Sequence, residues 1–130
     1  MYIPTSFMVV TPHPDDAELG CGGTMSKWIS EGASSVLLVC TNGDKGSAEP
    51  DMTSQKLSGI RAVEQEMASK ALGLQKVVFF DYPDGELEDS KEFRERIVKN
   101  IRVMISCAFL SYPYIRIISK CINLSIIVIT

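Results

Sequence analysis

Three short apolar runs alternate along the chain with longer stretches whose apolar residues recur at helical spacing. Phe7 to Val10, Ser35 to Cys40 and Val77 to Phe80 lack polar alternation, as parallel strands covered on both faces do. Residues 18 to 32 place Cys21, Met25, Trp28, Ile29 and Gly32 on one helical face, and Gly32 is a fitting terminator. Residues 54 to 73 place Ile60, Val63, Met67, Ala71 and Leu74 in a stripe expected to be buried, with Arg61 off it. Residues 90 to 105 repeat the pattern through Phe93, Ile97, Ile101 and Met104. Strand and helix alternating three times predicts an α/β fold, a Rossmann-like parallel sheet with right-handed crossovers and flanking helices.

The pattern breaks near residue 103. All 16 acidic residues lie before that point, and only Arg116 and Lys120 carry charge after it. The tail is therefore +2 and the remainder −5, for a net −3. Its uncharged stretches, 13 and 10 residues long, are too short to cross a bilayer as a helix. Ile115 to Ile118 and Leu124 to Ile129 could form strands, the second an aggregation hazard if exposed. Residues 1–102 and 103–130 are thus expected to be different kinds of sequence, the sheet being incomplete at its C-terminal end.

Length and charge narrow the classes. A chain of 130 residues suits one domain with one core. A net charge of −3 gives no basic footprint for nucleic acid. Cys21, Cys40, Cys107 and Cys121 show no Cys-x-x-Cys spacing and sit among apolar residues, so reduced, buried thiols of a cytoplasmic protein are expected. Residues 1 to 10 carry no positive side chain, so no signal peptide is expected.

The chemistry concentrates after the first apolar run, in Thr11-Pro12-His13-Pro14-Asp15-Asp16. This places the only histidine and two carboxylates at the C-terminal mouth of a strand, where open α/β sheets keep their ligand sites. His13 offers an imidazole to zinc, and Asp16, three residues on, can reach the same point if the turn tightens. Asp15 points elsewhere and remains available as a base. The bland alternative is an ordinary loop in which Asp15 or Asp16 caps the next helix. Gly20, Gly22 and Gly23 invite a dinucleotide-binding alternative, but the position that would need the third glycine is Met25. Close backbone packing near a metal explains small residues there as well.

The string from Pro12 to Thr24 closely resembles the opening motif of the zinc-dependent N-acetylglucosaminyl deacetylases, the PIG-L or LmbE-like family. The resemblance covers roughly residues 5 to 102. It also takes in Thr41 to Gly46, the Arg61-Ala62-Val63-Glu64 helix leading to Ala71-Leu72-Gly73, and Tyr82 to Gly85. It implies His13 and Asp16 as two of three zinc ligands and Asp15 as the general base that activates the metal-bound water. It also implies Arg61 and Asp84 as contacts in the sugar pocket, and removal of an N-acetyl group from an N-acetylglucosamine-type substrate. Read from the residues alone, Arg61 is better explained by a surface ion pair with Glu64 or Gln65. The loop 41–53 is equally a solvated connection or a flexible rim of the site.

The family's later histidine segment, which supplies the third ligand, has no counterpart here. A reading frame lost or truncated near residue 103 is the expected reason. The expected alternative to an active enzyme is therefore a fragment or pseudoenzyme with an incomplete metal site. Asp81, Asp84, a cysteine such as Cys107 or Cys121, a neighbouring chain or buffer ions could complete the shell. A His/Asp pair could also take iron or another divalent ion. The greasy tail makes a homo-oligomer plausible.

Overall fold

The computed structural model describes residues 3–107 and 127–129, with side chains described through residue 103. Seven elements follow one another: β1 (Ser6–Thr11), α1 (Asp16–Ser30), β2 (Ser34–Thr41), α2 (Ser54–Leu72), β3 (Lys76–Tyr82), α3 (Lys91–Cys107) and β4 (Ile127–Ile129). The sheet order is β3-β2-β1-β4. β1, β2 and β3 are parallel, with Met8 beside Val36 and Leu38 beside Val78. The chain therefore forms the Rossmann-like α/β sheet expected from its pattern.

β4 pairs antiparallel with β1, Val9 opposite Val128. It falls within the predicted strand 124–129, whereas the predicted strand 115–118 lies outside the described residues. A single chain direction cannot explain this order. β1 to β2 to β3 steps one way across the sheet, and the next described strand lies on the other side of β1. The C-terminal ends of the parallel strands share one edge, where open α/β sheets build ligand sites.

Alternate side chains of each strand divide the core into two layers. Phe7, Val9, Leu37 and Val39 pack against Ala17, Met25 and Ala33, with Cys21, Trp28, Ile29 and Leu72 closing around them. The Phe7 and Trp28 rings meet edge-on, 5.3 Å between centroids. On the other face Met8, Val10, Leu38, Cys40 and Phe80 pack against Phe93 and Ile101 of α3, with Ile97 partly covered. Desolvation there pushes the Cys40 thiol up to about 12, against a small opposing pull from Arg96. Cys40 and Cys21 are both free thiols.

Helix ends follow their local sequence. Thr53 caps α2 by accepting the Lys56 N–H at 3.2 Å, and Ser90 does the same for Phe93 in α3 at 3.1 Å. Gly73 ends α2 at φ +79. α1 begins two residues earlier than its periodicity suggests and breaks helical geometry at Cys21 (φ −144, ψ 16). A Cβ on Gly22 or Gly23 would meet no neighbour within 4 Å, so close packing does not account for those two glycines.

One expectation is overturned. Of the predicted stripe only Leu74, just past the helix end, packs against the core: Val63 is 56% and Met67 67% exposed, and Ile60 and Ala71 also lie open. α2 instead turns Gln65, Ser69 and part of Arg61 inward. The reason is local demand. The turn after β1 presents backbone and carboxylate groups that need polar partners, and a polar ridge meets that need where apolar side chains would leave them orphaned.

Candidate active site

β1 ends at Thr11, and the chain turns through Pro12, His13, Pro14 and Asp15 before α1 begins. The turn is tied to β2, because the Pro12 carbonyl accepts both the Thr41 N–H and the Thr41 hydroxyl at 2.8 Å. The His13 N–H donates to Asp16 Oδ2 at 2.9 Å, which tightens the turn and brings the ring over the carboxylate. His13 Nδ1 then lies 3.3 Å from that same oxygen.

The other ring nitrogen is also engaged. His13 Nε2 stands 2.7 Å from Asp84 Oδ1, in the loop after β3. Asp84 is itself fixed, since its backbone N–H donates to Asp44 Oδ1 at 2.9 Å. With Nε2 donating its proton to Asp84, Nδ1 presents a lone pair to the Asp16 oxygen. Two facing acceptors need a proton or a cation between them. Adjacent ligands of a tetrahedral zinc, with bonds near 2.0–2.2 Å, stand roughly 3.3 Å apart. The donor pair thus fits a zinc ion, and a carboxylate on the second nitrogen is the usual orienting partner of a metal-bound histidine. Among the described residues no three His, Cys, Asp or Glu side chains form a metal-holding group, so His13 and Asp16 offer two of the positions.

Asp15 is held differently. It precedes α1 at φ 83, a left-handed conformation uncommon for a side chain of its kind, and its carboxylate makes no capping bond to the helix. The bland alternative of a capping loop is therefore not what these carboxylates do. The Asp15 side chain is 63% exposed and meets Arg61 Nη2 at 3.1 Å. Arg61 also donates to the Pro14 carbonyl at 2.8 Å and the Gly43 carbonyl at 3.1 Å. Gly43, at φ +62, allows this approach, since a Cβ there would fall on the guanidinium.

All five residues singled out from the sequence thus meet around one turn. His13, Asp16 and Asp84 form one cluster, and Asp15 and Arg61 form a second beside it. Arg61 makes its ion pair with Asp15 and not with a neighbour on α2. The loop 41–53 is more than a solvated connection at its start, where Gly43 and Asp44 are built into the site. Sequence reasoning missed Gln65, which is 3% exposed and accepts the Asp15 N–H at 2.8 Å through Oε1. Its signal was the spacing Arg61–Gln65–Ser69, a polar ridge at i, i+4, i+8 on the face away from the apolar stripe.

A parallel α/β sheet that brings a His/Asp pair and a separate carboxylate to the mouth of β1 assembles the kinds of group that a candidate hydrolytic site uses. Comparison with known proteins makes this specific. Residues 8–114 match the model of the PIG-L family, described as GlcNAc-PI de-N-acetylase, and the chain belongs to that family. It is 34% identical over 95 residues to the diacetylchitobiose deacetylase of Thermococcus kodakarensis, covering 73% of this chain and 36% of the relative. It is 35% identical over 86 residues to the 1D-myo-inositol 2-acetamido-2-deoxy-alpha-D-glucopyranoside deacetylase of Kineococcus radiotolerans, covering 63% and 24%. The structure of N,N'-diacetylchitobiose deacetylase from Pyrococcus horikoshii, solved with an inhibitor, superposes with a TM-score of 0.74 at 31% identity. That match covers 76% of this chain and 37% of the other. The chain therefore spans between about a quarter and little more than a third of these relatives' length.

Proposed function

We propose that this chain carries the metal-binding and general-base half of an amide hydrolase that removes the acetyl group from an N-acetylglucosamine-type sugar. The observation that carries the proposal is the convergence of His13 Nδ1 and Asp16 Oδ2 at 3.3 Å beside a carboxylate, Asp15, that neither caps a helix nor belongs to the pair. The relatives' names supply the substrate class, since both curated relatives are deacetylases of acetamido sugars. Among the described residues no helix is long and apolar enough to cross a membrane.

His13 and Asp16 would hold zinc, with Asp84 fixing the ring through Nε2. Zinc bound there supplies a Lewis acid for the amide carbonyl and lowers the pKa of a water towards about 7. Asp15 takes a proton from the attacking water as its oxygen bonds to the carbonyl carbon. It returns that proton to the sugar nitrogen as the C–N bond breaks, leaving acetate and a free amine. Arg61 keeps the Asp15 carboxylate in place, and in this reading Arg61 and Asp84 would also contact the sugar's hydroxyls.

A second reading is favoured by one observation, that His13 is the only histidine in the chain. It holds that the chain keeps the fold and part of the site and turns over little. Zinc content and affinity of the purified chain, with Asp16→Ala as control, test both. About one tightly held zinc, lost in the variant, together with acetate release from diacetylchitobiose that falls at least ~10²-fold in Asp15→Asn, supports the hydrolase. Tight zinc without acetate release favours the second reading. Absence of zinc binding overturns the metal site altogether.

A further inference from the structure

The one buried polar side chain of α2 that reaches the catalytic turn has no role in the chemistry above. Gln65 sits at 3% exposure with all its polar atoms directed at specific partners. Its Oε1 accepts the Asp15 N–H at 2.8 Å. Its Nε2 donates to Glu18 Oε1 at 2.7 Å and to Ser69 Oγ at 3.1 Å. Glu18 stands in the first turn of α1, three residues beyond Asp15, so one amide spans both sides of the point where turn becomes helix.

From this geometry we infer that Gln65 is a positioning residue for Asp15, the part that locks its backbone in the left-handed conformation and so aims its carboxylate. The inference rests on Asp15 being the general base, and it names what holds that base in place. A non-glycine residue at φ 83 is unfavourable by itself and persists only where its surroundings over-determine it. Two groups on α2 supply the restraint from opposite sides. Arg61 grips the Pro14 carbonyl and the Asp15 carboxylate, and Gln65, one helical turn later, grips the Asp15 N–H. With both ends of the residue fixed to one rigid helix, the carboxylate has little freedom to swing into a capping position on α1. That position would satisfy the helix and remove the base.

The Glu18 contact fixes which way round the Gln65 amide lies. A carboxylate accepts only, so Nε2 must face Glu18 and Oε1 must face the Asp15 N–H. Exchanging the two residues keeps the logic. In the double variant Glu18→Gln, Gln65→Glu, the new carboxylate at 65 still accepts the Asp15 N–H, and the new amide at 18 donates to it.

The test compares the wild-type chain, Gln65→Met and the exchanged double variant by amide hydrogen exchange resolved to Asp15. Urea midpoints serve to confirm that each variant is folded. Asp15 exchange at least ~10-fold faster in Gln65→Met and slowed again in the exchanged pair is the expected result, because the exchanged pair restores at 65 the acceptor that Gln65→Met lacks. Unchanged protection of Asp15 in Gln65→Met would overturn the inference, as would loss of protection equally in both variants. Acetate release is the second readout. A lowered kcat with unaltered KM in Gln65→Met, recovered in the exchanged pair, is expected of a residue that aims the base. Lost protection with full kcat in Gln65→Met would show that Asp15 needs no such aiming. Absence of turnover in the wild type would count against the deacetylase reading, while the exchange arm still decides whether Gln65 holds Asp15.

Discussion

The two faces of α2 have exchanged the parts that their composition suggests. The outer face carries Ile60, Val63, Met67 and Ala71 and lies open to solvent, while the inner face carries Arg61, Gln65 and Ser69 and is covered. An amphipathic helix normally buries its apolar stripe, because removing that area from water is the largest favourable term available to it. Here the competing term is larger. The turn after β1 directs the Pro14 carbonyl and the Asp15 N–H towards the helix, and a buried polar group left unpartnered costs about 1–3 kcal/mol. Those two backbone groups favour the polar face turning inward, and the exposed Asp15 carboxylate adds its pairing with Arg61. A helix next to a polar turn can thus be oriented by hydrogen bonding rather than by burial.

That comparison can be broken by experiment. The largest effect is expected on the inner face from Arg61→Ala, which removes bonds to Pro14, Asp15 and Gly43 at once. A loss of about 2–3 kcal/mol in urea unfolding is expected, since two backbone carbonyls lose their partner. A change below about 0.5 kcal/mol would mean that the ridge does not orient α2.

Gly43→Ala attacks the same ridge from the loop. Its Cβ would displace the guanidinium, and its φ of +62 is unfavourable for alanine by about 1–2 kcal/mol. A destabilisation of roughly that size is expected, with a larger proportional loss of acetate release than Arg61-independent strain would give. Full retention of both stability and turnover would show that the loop simply moves aside.

The smallest effect is expected on the outer face. Val63→Ser and Met67→Ser should each stay within about 0.5 kcal/mol of wild type, as surface substitutions do. Thermal unfolding that falls by several degrees for Met67→Ser would mean that this face is covered in solution, and the exposed stripe would then be an interface.

The comparison also separates what could be read from the chain from what could not. The three parallel strands were legible because burial on both sheet faces leaves no polar alternation, as in the run from Val36 to Cys40. His13, Asp15 and Asp16 were legible because the whole string from Pro12 to Thr24 resembles a family motif, whereas a polar turn at a strand end is by itself as readily an ordinary loop. Their division of labour was legible only in part. That Asp84 meets His13, not a distant wall of the pocket, required the β3 loop to be brought 71 residues back along the chain. The antiparallel direction of β4 beside β1 likewise has no signature in a run such as Ile127–Ile129.

The sequence by itself therefore determined the alternation of strands and helices, the location of the chemistry at the end of β1, and the family. Tertiary structure decided the rotation of α2 about its axis. Periodicity gives a helix two distinct faces but weighs them only by transfer from water. Which face turns inward depends on the polar groups already waiting there, and Pro14 and Asp15 lie more than 45 residues from the α2 side chains that satisfy them. The same long-range demand placed Gln65 against Asp15, a contact invisible until the turn and the helix are packed together.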